Sequence, residues 1–188
     1  RGLTPRLQVP AARPGVSDGD PASGVAALCD ARGWAAEPRT LVMLRSAAPS
    51  ATAGVQTAAL RWSDEPDDAW LSLYHRAGAQ LPSVARRVIT AAPAQYLSVR
   101  LDGDAVGIGR VALVEELAVL TAIEVTARER RHGLGTLITE ALTARAADDG
   151  ARLTALQVFA DNAAAVRLYR RVGFRTHHQY RYRSLSDG

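Results

Sequence analysis

Val125-Thr126-Ala127-Arg128-Glu129-Arg130-Arg131-His132-Gly133-Leu134-Gly135-Thr136 is the stretch on which the reading of this chain turns. The apolar run Leu117–Val125 leads into it. Gly133–Asp148 follows, with Leu134, Leu137, Ile138, Ala141 and Leu142 on one helical stripe that stops at Gly150. A buried strand therefore ends, an arginine-rich turn follows, and two glycines open a long helix. The first turn of a helix carries free N–H groups and the positive end of the dipole. Glycines there let an anion approach the backbone, because no Cβ stands in the way. Arg130 and Arg131 add charge. Physically this is a diphosphate cradle. It lacks the lysine of a GxxxxGK[ST] loop and the three-glycine spacing of a dinucleotide fingerprint, so neither of those readings holds.

Working outward, Arg152–Phe159 reads as a second apolar strand. Asp161 or Asn162 caps a helix with Ala165, Leu168, Tyr169 and Val172 on one face, stopped by Gly173, and Phe174–Ser184 closes the chain as a strand. Upstream, Tyr96–Leu101 and Ala105–Leu113 are strands joined at Asp102-Gly103-Asp104, an aspartate-glycine hairpin signal. Val55–Trp62 fits a strand. Ser63 caps a helix whose first turn holds Asp64 and Glu65 and whose face is Trp70, Leu73, Tyr74 and Ala77; Leu81–Thr90 is a second short helix. Leu7–Val9 and Thr40–Arg45 read as strands, Pro10–Pro21 as a loop, and Ser23–Arg32 as a helix stopped by Gly33. The pattern predicts an α/β fold: a mixed sheet with helices on both faces. Residues 1–46 are too short to close a core alone and read as a partial N-terminal lobe, 47–54 as a linker, and 55–188 as the main domain.

Composition narrows the function. Of 188 residues, 47% are hydrophobic and 22% charged, which fits a globular domain rather than a disordered one. No run approaches the length of a membrane helix. A single cysteine, Cys29, excludes an intramolecular disulfide and a cysteine-rich zinc site, and a reducing cytoplasm is the expected home. All 23 basic residues are arginine, scattered at a mild net charge of +4, which argues for a high-GC genome and against a nucleic-acid face. No metal or membrane partner is expected.

Two motifs carry a family resemblance. Arg130-x-x-Gly133-x-Gly135 resembles the coenzyme A pyrophosphate loop of the GCN5-related N-acetyltransferase (GNAT) family. Asp161-Asn162-Ala163-Ala164-Ala165-Val166-Arg167-Leu168-Tyr169-Arg170-Arg171-Val172-Gly173-Phe174 resembles that family's second motif. The match spans roughly Val55 to Ser184, and residues 1–46 resemble the tail of a degenerate lobe in two-lobed actinobacterial members. The resemblance implies a splayed central sheet and one-step transfer of acetyl from acetyl-CoA to a primary amine of a small molecule or polypeptide. It implies that backbone groups of Ile123, Glu124 and Val125 bind the pantetheine arm. Arg130 supplies charge at the loop, and Arg131, His132, Gly133, Leu134, Gly135 and Thr136 hold the pyrophosphate. Asn162 touches the arm near the thioester, and Tyr169 is the general acid.

The base is less defined. The positions where relatives carry a glutamate are Val119 and Gln157, which leaves Glu124 as the nearest carboxylate, with Glu115, Glu116, His75 or a water chain open. The alternative reading is a catalytically silent acetyl-CoA-binding sensor or scaffold. A homodimer is left open.

Several other residues have two readings. Trp62 and Trp70 are core or lid packing. Tyr180 and Tyr182, sharing a face with His178, line the acceptor cleft or pack under a helix. Arg167, Arg170 and Arg171 form a solvated face or supply a ribose-phosphate contact. Asp64, Glu65, Asp67 and Asp68 attract a cationic amine or suit a helix start. His177 and His178 are expected on opposite strand faces, unable to share a metal.

Overall fold

The structure, a computed structural model, describes residues 5–11, 21–48, 58–74 and 85–185. The elements are β1 (Arg6–Pro10), α1 (Pro21–Ala31), β2 (Trp34–Ala36), β3 (Thr40–Ser46), β4 (Ala59–Ser63), α2 (Asp68–Leu73), α3 (Ala85–Ile89), β5 (Gln95–Leu101), β6 (Asp104–Val114), β7 (Leu117–Val125), α4 (Leu134–Asp148), β8 (Leu153–Phe159), α5 (Ala163–Arg171) and β9 (Arg175–Leu185). The expected mixed α/β sheet is present, its strands in the order β1-β9-β3-β8-β7-β6-β5-β4 with β2 on β9. Contacts divide the chain into two units. One comprises Arg1–Met43, Gln157–Arg167 and Arg175–Gly188; the other comprises Leu44–Leu156 and Leu168–Phe174.

In the first unit, β9 is the organising strand. It pairs antiparallel with β1 from Arg6↔Ser184 to Pro10↔Tyr180. It also takes β2, from Trp34↔Leu185 to Ala36↔Arg183. Three residues carry no period of their own, which is why β2 escapes a sequence reading; the partner strand makes it. Arg6 is held by the Glu37 carboxylate and lies 4.0 Å from the Tyr182 ring centroid.

The second unit is built on the antiparallel ribbon β4-β5-β6-β7, continued by β8, which runs parallel to β7. Glycines at alternate positions of β6 set the approach of α4. A Cβ on Gly109 would lie 2.7 Å from Leu142 Cδ1, and one on Gly107 would lie 2.8 Å from Ile138 Cδ1. Both glycines leave room that the helix fills. The five-residue stripe expected on α4 is buried, and so are Thr139 and Thr143. The two threonines turn their hydroxyls onto Gly135 O at 2.7 Å and Thr139 O at 2.8 Å, so polar groups sit in the core satisfied by the helix's own carbonyls.

The start of α2 differs from expectation. Ser63 ends β4, and its hydroxyl donates to Glu65 O at 2.6 Å. Asp67 is the cap, with Oδ1 accepting from Trp70 N at 2.7 Å. Pro66 explains the shift. The residue before a proline is pushed out of the helical region, so Glu65 cannot lie in a first turn and the helix begins beyond the ring. Trp70 is core rather than lid: it is 1% exposed, and its indole N–H is shared between Leu97 O (3.1 Å) and Gly109 O (3.3 Å). Trp62 is half-buried under Arg145, 5.6 Å from the ring centroid. Of the helix expected at Leu81–Thr90, α3 covers Ala85–Ile89, and residues 81–84 lie outside the described residues. So do His75, Ala77 and residues 49–54 of the linker.

Candidate functional site

Within the second unit the parallel pairing of β7 with β8 runs from Leu117↔Leu153 to Leu120↔Leu156. Pairing with β6 continues, but between Arg110↔Thr121 and Ile108↔Glu124 two residues of β7 oppose one of β6. This is a β-bulge, with Ala122 in the left-handed region at φ 54°. Ile123, Glu124 and Val125 close the strand beyond Ala122, half-buried. Glu124 is in register with Ile108.

Thr126–Gly133 then turns the chain into α4. A 3-10 turn covers Ala127–Glu129. Arg131 follows at φ 68° and Gly133 at φ 86°, so two positions of a short segment lie in the left-handed region. Such alternation turns successive backbone N–H groups toward one side, the geometry of an anion nest. Gly133 is the N-cap of α4, and among the described residues no side chain caps the helix. The N–H groups of Leu134, Gly135 and Thr136 are left without an intrahelical acceptor.

Among the basic residues, Arg130 donates from Nε to Val125 O at 3.3 Å, tying the turn to the strand end. Glu129 accepts from Arg128 at 3.0 Å and lies 3.4 Å from His132 Nδ1. The residues expected to face an anion, Arg130 to Thr136, therefore occupy one continuous turn with the strand end Ile123–Val125 at its entrance.

The C-terminal half of α5 lies against the first turn of α4. A Cβ on Gly135 would stand 2.8 Å from Leu168 Cδ1, so Gly135 is needed for the approach of the two helices. One turn later, Arg171 donates to Thr136 Oγ1 at 3.1 Å, which sets it apart from the rest of the expected solvated face. Tyr169 lies between these two contacts in sequence. It is 8% exposed, and its ring meets Phe174 edge-on at 6.1 Å. Burial pushes its phenol up to about 12, so it keeps its proton throughout the physiological range.

Asn162 belongs to the first unit. Of the two candidate caps for α5 it is the one that serves: its side-chain oxygen accepts from Ala165 N at 3.1 Å. Gln157 accepts the Tyr180 hydroxyl at 2.8 Å, and the Tyr180 and Tyr182 rings meet edge-on at 5.4 Å. Burial raises the Tyr180 phenol. His177 and His178 depart from the expectation of separate faces, since their Nδ1 atoms are 2.8 Å apart. Alternation fixes where Cβ atoms point, and rotation about the bonds beyond Cβ brings the two Nδ1 atoms together.

Glu115 and Glu116 sit at the opposite end of β7 from the turn, roughly 20 Å from Ile123 at the rise of an extended strand. Glu116 is paired with Arg152 at 3.3 Å. Val119 faces Ala112 and Ala155 across the sheet. An open cavity of about 480 Å³ is lined by Ala69, Ser72, Asp104, Val106, Thr126 and Arg128 among others. Among the described residues no cluster of His, Cys, Asp or Glu is set to hold a metal, and no helix is long and apolar enough to cross a membrane.

Comparison with known proteins gives this geometry a family. The family model described as probable histone acetyltransferase Rv0428c C-terminal matches residues 1–183. The chain belongs to that family. Its GNAT character is further seen in the uncharacterized N-acetyltransferase YobR of Bacillus subtilis (strain 168), 36% identical over 76 residues, 40% of this chain and 31% of the relative. The GNAT fold recurs in solved structures. A GCN5-related N-acetyltransferase from Sphaerobacter thermophilus matches with TM-score 0.76 at 16% identity, over 97% of this chain and 60% of that one. A tandem GNAT protein from the clavulanic acid biosynthesis pathway matches with TM-score 0.74 at 19% identity, over 98% and 64%. The chain thus spans under two thirds of these GNAT relatives.

Sequence reasoning missed three features of this region: the bulge at Ala122, the Arg171–Thr136 contact, and the place of Glu129. Only the last left a signal, an acid three residues before a histidine.

Proposed function

We propose that the chain transfers acetyl from acetyl-CoA to a primary amine of a small molecule or polypeptide by direct attack. The observation that carries the reading is the uncapped, left-handed start of α4 placed at the end of a strand bulged at Ala122. The residues present fit the donor. N–H groups from Arg131 to Thr136 suit a diphosphate, with Arg130 and Arg131 supplying charge, and the backbone of Ile123–Val125 suits an amide-bearing arm. Bound there, the donor supplies an activated thioester. Asn162 spends its side-chain oxygen on capping α5.

In the reaction the amine nitrogen bonds to the thioester carbon and the C–S bond breaks. The role of Tyr169 is to deliver a proton to the leaving sulfur. A phenol held neutral up to about 12 is charged with that proton at any working pH. Glu124, at the arm-binding edge, is the carboxylate assigned to take the proton from the amine. The family's description as a histone acetyltransferase supports a polypeptide acceptor as one form of the amine.

One observation favours the alternative, a catalytically silent acetyl-CoA sensor: Gln157, at a position where relatives carry a basic carboxylate, is occupied by the Tyr180 hydroxyl.

The first experiment is a calorimetric titration of acetyl-CoA against wild type and an Arg131→Glu, Gly133→Asp double variant. Micromolar binding lost in the variant supports the cradle; a folded wild type that fails to bind overturns both readings. The second is an amine-acceptor screen with Tyr169→Phe. If Tyr169 is the acid, kcat falls about 100-fold while coenzyme affinity holds. Wild-type kcat then shows no loss assignable to Tyr169 at pH 10, because the raised phenol gives up its proton only near 12. An active Tyr169→Phe enzyme removes the acid role.

A further inference from the structure

Glu129 stands in the wrong place by charge alone. Between Glu124 and Glu140 it is the only acidic residue, in a turn that otherwise carries Arg128, Arg130 and Arg131. A carboxylate beside a diphosphate opposes binding at every distance. Yet the side chain is not turned away into solvent: it is only 18% exposed. Its Oε1 takes Arg128 Nε at 3.0 Å, its Oε2 lies 3.4 Å from His132 Nδ1, and its backbone N–H donates to Thr126 O at 3.0 Å. The carboxylate thereby bridges Arg128 and His132, while the backbone of the same residue ties back to Thr126. The span encloses Arg131, an L-residue held at φ 68°, a conformation that costs a non-glycine residue about 1 kcal/mol or more and persists only where the surroundings fix it.

Resting on the coenzyme reading above, we infer that Glu129 is a positioning residue for the diphosphate. Its carboxylate braces the turn so that Arg131 stays in the left-handed region and the N–H groups before α4 converge, and that gain outweighs its charge. The two effects have opposite signs, which makes them separable. If charge dominates, removing the carboxylate tightens coenzyme binding. If bracing dominates, removing it weakens binding.

The experiment compares Glu129→Ala with Glu129→Gln, using coenzyme A as the titrant and acetyl-CoA for kinetics. Both variants change the charge by the same amount, but glutamine keeps an oxygen that accepts from Arg128. We expect Glu129→Ala to bind coenzyme A about tenfold more weakly than wild type, with Glu129→Gln recovering most of the loss. The KM for acetyl-CoA follows that order, and kcat changes less than KM. Thermal melts track folding, and Glu129→Ser serves as a second shortened variant, so the outcome does not hang on one protein. Equal affinities for the shortened and glutamine variants, or tighter binding in the shortened ones, overturn the inference while leaving the coenzyme reading intact. A folded wild type that does not bind coenzyme A overturns both.

Discussion

The starts of α2 and α4 solve the same physical problem in opposite ways. Each helix begins with N–H groups that have no partner within the helix. At α2 the chain supplies one itself: Asp67 accepts from Trp70 N at 2.7 Å. At α4 the N-cap is Gly133 at φ 86°, which has no side chain to offer, and among the described residues no other side chain takes its place. The difference is not one of helix quality. α4 is the longer helix and its apolar face is fully buried, so it can forgo a cap worth about 1 kcal/mol. What α4 gives up in local stability it keeps as open donors next to Arg130 and Arg131.

The sharpest way to break this contrast is to give α4 the cap that α2 has. In Gly133→Asp the new carboxylate accepts from the first-turn N–H groups and places a negative charge where the diphosphate is proposed to bind. Aspartate tolerates the left-handed region better than most residues, and the cap it forms offsets the remaining strain. Coenzyme affinity is expected to fall at least 100-fold, about 2.7 kcal/mol, with little change in melting temperature. Titration and a melt on the same sample check both halves. Unchanged affinity would mean that the anion is held elsewhere and that Gly133 serves only the turn.

How much of the molecule is legible in its sequence follows from where each signal lies. The strand, arginine turn and glycine-opened helix are readable because periodicity, glycine placement and charge all coincide within one short stretch, and the fold follows from it. The stripe on α4 is readable for the same reason, although Thr139 and Thr143 are not, since their burial depends on hydroxyls bonding back to helix carbonyls. Ser63 misleads as a cap because two local signals compete there, and the steric demand of Pro66 is the stronger. The β2 strand and the Ala122 bulge are not readable: each exists only through pairing with a partner strand. Gly135 shows a subtler limit. Its missing side chain reads as room for an anion, and the structure adds a second demand, room for Leu168.

The smallest effect tests the other side of the contrast. Asp67→Ala removes the cap of α2 and is expected to cost about 1 kcal/mol, a fall of roughly 2–4 °C in melting temperature for a chain of this size. Coenzyme affinity should be unchanged, because a self-satisfied helix start has nothing to give a ligand. Asp67 also lies 3.6 Å from Arg100 Nη2 by its other oxygen, so the loss mixes a cap with an ion pair. Asp67→Asn separates them: asparagine caps as well as aspartate, and the exposed pair alone contributes about 0–1 kcal/mol. If Asn restores most of the stability, the cap is the cause. If either variant weakens coenzyme binding beyond a few-fold, the two helix starts are coupled, through Trp70 and its bonds to Leu97 O and Gly109 O beneath α4. The division between a start that serves the fold and one that serves a ligand would then have to be abandoned.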